Sequence, residues 1–382
     1  MRILIFSTAY WPHVGGAEIA VKEITDRLRD IDFSMVTIRL DRQDKKEEQV
    51  GNIKVYRVGW GLGKLTSPVG KLDKLLFPFR AVRLANKLHR QNGYDIIWSI
   101  MASYSGFAAL FFKKKNPEIK FLLTLQEGDD LAQVKKKVRL VKKWFKQIFQ
   151  QADYIQAISN YLAKWAKKME AKCPVEVVPN GIQVTSNKLQ VTNIKKELNV
   201  NEGDKIVLTT SRLVEKNGIE DLINAVSQLS ITNYKLLIVG DGDLSKDLKQ
   251  LTKDLKIEDK VLFMGFVQPN ELSKYYVAAD VFCRPSITEG LGNSFLEAMA
   301  YEVPVIATPV GGIPDFLEDG KTGWFCRVKD PASITEKIKY IFDEKNKSEV
   351  EKVKDNAKQM VLDEYNWDII FNQMKNIFQK LT

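Results

Sequence analysis

The stretch Pro285-Ser-Ile-Thr-Glu-Gly-Leu-Gly-Asn-Ser-Phe-Leu-Glu-Ala-Met-Ala300 decides how this chain is read. The run 281–284 ahead of it reads as the end of a buried strand. Phe295, Leu296, Ala298 and Met299 mark a helix behind it, with Asn293 or Ser294 as the cap. Gly290, Leu291, Gly292 and Asn293 therefore join a strand's carboxyl end to a helix start, where unpaired amides and partial positive charge suit an anion. Phosphate is the expected guest. Glu289 and Glu297 bracket the loop, and carboxylates accept hydrogen bonds from hydroxyls. A sugar joined to a ribose through a diphosphate needs both functions, although an arbitrary pair of this kind is more often a solvated acid and a helix-face acid.

Upstream, an α/β series leads into this stretch. Strands are expected at 206–211, 235–239, 261–264, 280–283 and 303–307, with helices near 218–229, 244–256, 270–278 and 293–301. Arg212 and Lys216 follow the first strand, beside Asn217-Gly218 and a new helix, and two cations there would clamp a diphosphate; a surface Arg and Lys are the plainer reading. Gly265-Phe266-Val267 follows another strand end, where backbone groups would read a base edge or simply make a turn. An earlier series begins at residue 2 and runs through Gly15-Gly16-Ala17-Glu18 into a helix, a second strand–glycine–helix cradle that a plain tight turn explains equally well. Its further strands are expected at 33–38, 53–58, 94–99, 119–124, 154–158 and 175–178, with helices at 73–91, 103–114, 131–151 and 160–170. Residues 180–203 turn polar. The expected organisation is therefore α/β, two Rossmann-like doubly wound domains, 1–182 and 204–362, joined by a linker 183–203 and facing a central cleft. A last stretch, 363–382, forms a terminal helix.

The 382 residues are 45% hydrophobic and 28% charged, as in a soluble globular protein. No transmembrane run of about 20 apolar residues and no signal peptide are read, so a cytoplasmic location is expected. Three cysteines and two histidines, widely spaced, suggest neither a disulfide framework nor a metal site. The net charge is +10, and residues 113–172 hold 15 Lys/Arg against six acids.

Glu289-Gly-Leu-Gly-Asn-Ser-Phe-Leu-Glu297, Ser211-Arg212-Leu213 with Lys216, Gly240-Asp241-Gly242, Gly15-Gly16 and Gly311-Gly-Ile-Pro-Asp315 together resemble glycosyltransferase family 4, retaining enzymes of the GT-B fold. The resemblance spans nearly the whole chain. It implies that Glu289 meets hydroxyls of a donor sugar, that Glu297 meets the ribose, and that Arg212 and Lys216 hold the diphosphate and stabilise its departure. It further implies that the 290–293 amides line sugar and phosphate, that Gly15, Gly16 and Gly240 lie on the donor, and that the last helix crosses back to the first domain. The donor would be a UDP- or GDP-sugar, with no tightly bound cofactor. One departure stands out. A histidine is usual after the strand ending at Thr124, but the run here is Thr124-Leu-Gln-Glu-Gly-Asp-Asp130, so Gln126, Glu127 or Asp129 takes its place, and Glu127 becomes a candidate proton acceptor. His13 is a further polar candidate, more plainly a turn residue.

The acceptor is expected to be a carbohydrate, lipid-linked, with the enzyme peripheral on the inner face of the cell membrane. Val134, Val138, Val141, Phe145 and Ile148 recur at helical spacing among lysines in 131–149, which suits an anionic bilayer or, equally, an ordinary helix packed on a core. No nucleic-acid motif accompanies the charge. Two other readings fit the pattern, a sugar-nucleotide epimerase of similar fold and a non-catalytic sugar-nucleotide-binding protein.

Overall fold

Runs such as Arg2–Phe6 and Tyr234–Val239 carry apolar side chains on both faces of an extended chain, so helices must cover them on both sides. The computed structural model, which describes residues 1–62, 67–183, 191–198 and 200–382, shows two sheets built this way. Residues 184–190 and 199 of the expected linker lie outside the described residues.

The first unit comprises Met1–Gly181 and Trp367–Thr382. Its strands are β1 (Arg2–Phe6), β2 (Asp32–Ile38), β3 (Glu47–Val50), β4 (Ile53–Val58), β5 (Ile96–Ile100), β6 (Lys120–Leu125), β7 (Tyr154–Ala157) and β8 (Val175–Val177). They lie in the order β3-β4-β2-β1-β5-β6-β7-β8, parallel except for the β3–β4 hairpin. The connecting helices are α1 (Gly16–Arg27), α2 (Pro68–Asn92), α3 (Tyr104–Lys115), α4 (Leu131–Lys137), α5 (Lys142–Gln150) and α6 (Asn160–Lys168). The second unit, Ile182–Asn366, opens with α7 (Val191–Glu197) inside the span expected as linker. It continues through β9 (Lys205–Thr210), α8 (Ile219–Ser227), β10 (Tyr234–Val239), α9 (Ser245–Asp254), β11 (Val261–Gly265), α10 (Ser273–Ala278), β12 (Val281–Arg284), α11 (Asn293–Ala300), β13 (Val305–Ala307), β14 (Trp324–Phe325), α12 (Pro331–Phe342) and α13 (Lys347–Glu364). Its parallel sheet runs β11-β10-β9-β12-β13-β14. The last helix, α14 (Trp367–Lys380), returns to the first unit, where Trp367, Ile370, Met374, Ile377 and Phe378 are buried with Ile3, Met35 and Trp98.

The helix expected over 131–151 is broken. α4 gives way to one tight turn at Arg139–Val141 before α5 begins. No side chain of α4 is buried, so the core does not hold it in line with α5. Phe145 and Ile148 of the expected amphipathic stripe, with Phe149, pack inward, the Phe149 ring 5.0 Å from Trp165.

Candidate active site

In the second sheet the strand order reverses between β9 and β12, which leaves a crevice beyond their carboxyl ends. Two loops enter it. After β9 the chain runs through Arg212, which is exposed, to a single helical turn, Glu215–Asn217, holding Lys216. After β12 it runs through Pro285 to Gly292. The Ile287 amide donates to the Lys216 carbonyl at 2.7 Å, so the two loops are joined through backbone. Gly218, at φ 67°, lies against the second loop, and a Cβ there would stand 2.1 Å from the Pro285 carbonyl oxygen. Only glycine suits both the backbone angle and the approach. Gly311 braces the other side: at φ 59° it lies so close to the Glu289 carbonyl that a Cβ would be 1.7 Å away, and the Gly312 amide donates to that carbonyl at 3.2 Å.

The side chains of the loop are fixed by a residue that sequence reasoning passed over. Arg284, buried at the end of β12, donates to Glu289 Oε2 at 2.6 Å and to Ser294 Oγ at 2.8 Å, while its guanidinium lies 4.3 Å from the Phe295 ring centre. The Gly290 amide donates to Glu289 Oε1 at 3.0 Å. Glu289 is therefore held through both oxygens, with 14% of its side chain exposed. The sequence signal was present: a cation ending an otherwise apolar strand is buried, and a buried cation requires a nearby carboxylate. Neither Asn293 nor Ser294 caps α11. Gly292 occupies the cap position without a side-chain bond, and the Ser294 hydroxyl is taken by Arg284.

Glu297, one turn into α11, accepts from the Tyr276 hydroxyl at 2.6 Å, and that hydroxyl lies 2.9 Å from Thr210 Oγ1. Burial pushes the Glu297 carboxyl above its ordinary range, against the Tyr276 bond and the charge of Arg284. Burial pushes the Tyr276 phenol up as well, and Glu297 adds to the shift. Further along the same edge, the Gly240 amide donates to the Gly265 carbonyl at 2.8 Å and the Leu213 amide to the Asp241 carbonyl at 3.0 Å. Phe266 follows directly, 61% exposed, with Val267 half-buried.

In the first unit the Gly15-Gly16 cradle is partly filled from within, because Glu18 accepts the Gly15 amide at 2.8 Å. His13 is engaged with Asp44 at 3.2 Å. Past β6, Gln126 donates to Asn180 at 3.2 Å, whereas Glu127 turns the other way and accepts the Ala102 amide at 2.6 Å. Glu127 is buried, its second oxygen has no partner among the described residues, and burial raises its pKa to about 7 despite the Ala102 amide.

Models of known families match both parts of the chain: Glycosyltransferase Family 4 over residues 14–186, and Glycosyl transferases group 1 over residues 190–360. The chain belongs to glycosyltransferase family 4. Its two Rossmann-like units are those of the GT-B fold, and the Anabaena protein HepE in complex with UDP-glucose has this fold with a TM-score of 0.81, at 18% identity and over 100% of both chains. An uncharacterized glycosyltransferase of Methanocaldococcus jannaschii is 33% identical over 54% of each chain. N-acetyl-alpha-D-glucosaminyl L-malate synthase of Bacillus anthracis is 26% identical over 99% of this chain and 97% of its own. In this family 4 chain, Arg212, Lys216, Gly240, Phe266, Val267, Glu289, the 290–293 loop and Glu297 share the carboxyl edge of one sheet, while Gly15, Gly16 and Glu127 belong to the other unit.

Proposed function

We propose that the chain is a retaining glycosyltransferase that moves a hexosyl group from a UDP- or GDP-sugar to a hydroxyl of a carbohydrate acceptor, lipid-linked, in polysaccharide or glycoconjugate assembly at the inner face of the cell membrane. The observation that carries this reading is the Arg284-fixed Glu289 beside the 290–293 loop, joined through backbone to the Lys216 turn. The HepE complex with UDP-glucose supports a nucleotide-sugar donor.

In this reading Arg212 and Lys216 hold the diphosphate, Glu289 accepts hydroxyls of the sugar, Glu297 accepts those of the ribose, and the exposed Phe266 ring offers a stacking face to the base. The bond from the anomeric carbon to the phosphate oxygen breaks first, through an oxocarbenium-like transition state, and the two cations stabilise the charge that builds on the diphosphate. The acceptor hydroxyl attacks from the same face. Its proton passes to the departing phosphate or to Glu127, whose pKa near 7 suits it to that task.

The melting temperature of the protein against UDP-, GDP-, ADP- and CMP-sugars tests the donor. Ligand at 100 times its Kd stabilises the folded state by about 2.7 kcal/mol. A shift with one uridine or guanosine sugar, absent in Arg212→Ala and Glu289→Ala, is the expected outcome; equal shifts in those variants remove the site assignment.

A further inference from the structure

Helix α2 is apolar on two faces. Phe77, Ala81, Ala85 and Leu88 are buried, which accounts for one of them. The other is open: Val69, Leu72, Leu75 and Phe79 follow each other at helical spacing, with Leu75 58% and Phe79 63% exposed. The turn between α4 and α5 and the first turn of α5 present two more large apolar side chains, Leu140 at 94% and Trp144 at 53%. These six make up more than half of the large hydrophobic residues exposed among those described, and such concentration marks a binding surface.

The two groups belong to one side of the first unit. Phe79 stacks on Phe111 of α3 (5.7 Å), Phe111 meets Phe107 (6.2 Å), and Phe107 meets Phe145 of α5 (6.2 Å). Burial holds the Lys74 ammonium of α2 below its ordinary range, the charge of Lys137 at the end of α4 adds to this, and Asp129 opposes it. Beyond Phe79 the same helix face turns cationic with Arg83 and Arg90, which together with Lys114 and Lys115 line a cleft of about 780 Å³ between α2 and α3. Around Leu140 and Trp144 stand Lys135, Lys136, Lys137, Arg139, Lys142 and Lys143, all exposed. Across α2, α3 and residues 131–150 there is a single acid, Asp73, and it is buried in an ion pair with Arg80.

We infer that this face, and not the stripe expected along 131–149, is the surface by which the chain docks on an anionic lipid bilayer. Leu72, Leu75, Phe79, Leu140 and Trp144 enter the headgroup region, and the cationic cleft beside α3 takes lipid phosphates. Apolar side chains ringed by a large excess of cations, with Asp129 near Lys74 as an opposing acid, match the chemistry of such an interface and of no neutral one. The inference deepens the proposed lipid-linked acceptor, yet needs neither donor nor acceptor to be tested.

Cosedimentation with phosphatidylcholine vesicles, with and without phosphatidylglycerol, reads it directly. Binding is expected only with phosphatidylglycerol and weakens with salt. Leu75→Ser/Phe79→Ser is expected to lower vesicle affinity about tenfold or more, and Lys136→Glu/Lys143→Glu likewise by at least about tenfold, with melting temperatures unchanged. Parental affinity in the Leu75→Ser/Phe79→Ser protein would overturn the inference, as would equal binding to vesicles without phosphatidylglycerol. A dimer split by the same two substitutions would assign the face to a second copy instead. Binding of nucleic acid that survives loss of the apolar pair but not charge reversal, without vesicle binding, would assign it to a polyanion.

Discussion

Glu127 is buried with one carboxylate oxygen on the Ala102 amide, and its pKa of about 7 lies above that of an unfolded chain. A carboxyl raised by folding stabilises least when ionised, so its cost is absent below the unfolded value, grows as pH rises, and is complete above about 7. Glu127→Gln lacks this titration. Its unfolding free energy in urea, relative to the parent, is expected to shift in its favour by roughly 3 kcal/mol between pH 4 and pH 8; a flat difference would show an ordinary carboxyl. Should Glu127 take the acceptor proton, kcat/KM of the parent also declines below about pH 7, and the variant loses that limb together with most of its rate. At this scale the sequence offered Glu127 only as a departure from a family pattern. It could not offer the Ala102 amide, because that contact depends on how β5 and β6 end side by side.

The β12–loop–α11 element is a different case. An apolar strand, two glycines and an apolar helix were readable in one pass, since strand, turn and helix each have a local signature there. What binds them was not readable. Arg284 ties strand end, loop carboxylate and helix hydroxyl into one body, and removing it leaves a carboxylate almost enclosed. Arg284→Met is expected to destabilise by about 3 to 5 kcal/mol, and Arg284→Met/Glu289→Gln to regain much of that; a double variant no better than the single one would mean that Arg284 acts through packing on Phe295. Two other elements went unread for physical reasons. Glu47-Glu-Gln-Val50 has no apolar alternation, and β3 exists because the turn at Gly51 lays it on β4, where Glu48 meets Arg57 at 2.5 Å. The regular spacing over 131–149 concealed a break, because spacing reports which side chains align and not whether a core holds them.

Over the whole molecule, alternating strands and helices disclosed two doubly wound units, since each parallel crossover requires its helix. The membership of α14 in the first unit has no local signal; only the family resemblance pointed to it. Its consequence is measurable. Trp367 lies against Gly181, where a Cβ would come within 2.4 Å of the indole, and Phe378 meets Trp98 edge-on at 5.3 Å. Trp367→Ala is expected to cost about 3 to 5 kcal/mol and to lower one calorimetric transition, that of the first unit, leaving the other in place; equal movement of both would show that the two cores melt together. A chain made from its N-terminus must complete Ile182–Asn366 before α14 exists. At the ribosome's pace of about 5 to 20 residues per second that is a wait of roughly ten to forty seconds. For that interval Phe33 and Trp98 lack the Phe378 ring that packs on them and α1 has only part of its core, so the earliest part of the chain to emerge is the last to close, and it is on this nascent half that a chaperone would be found.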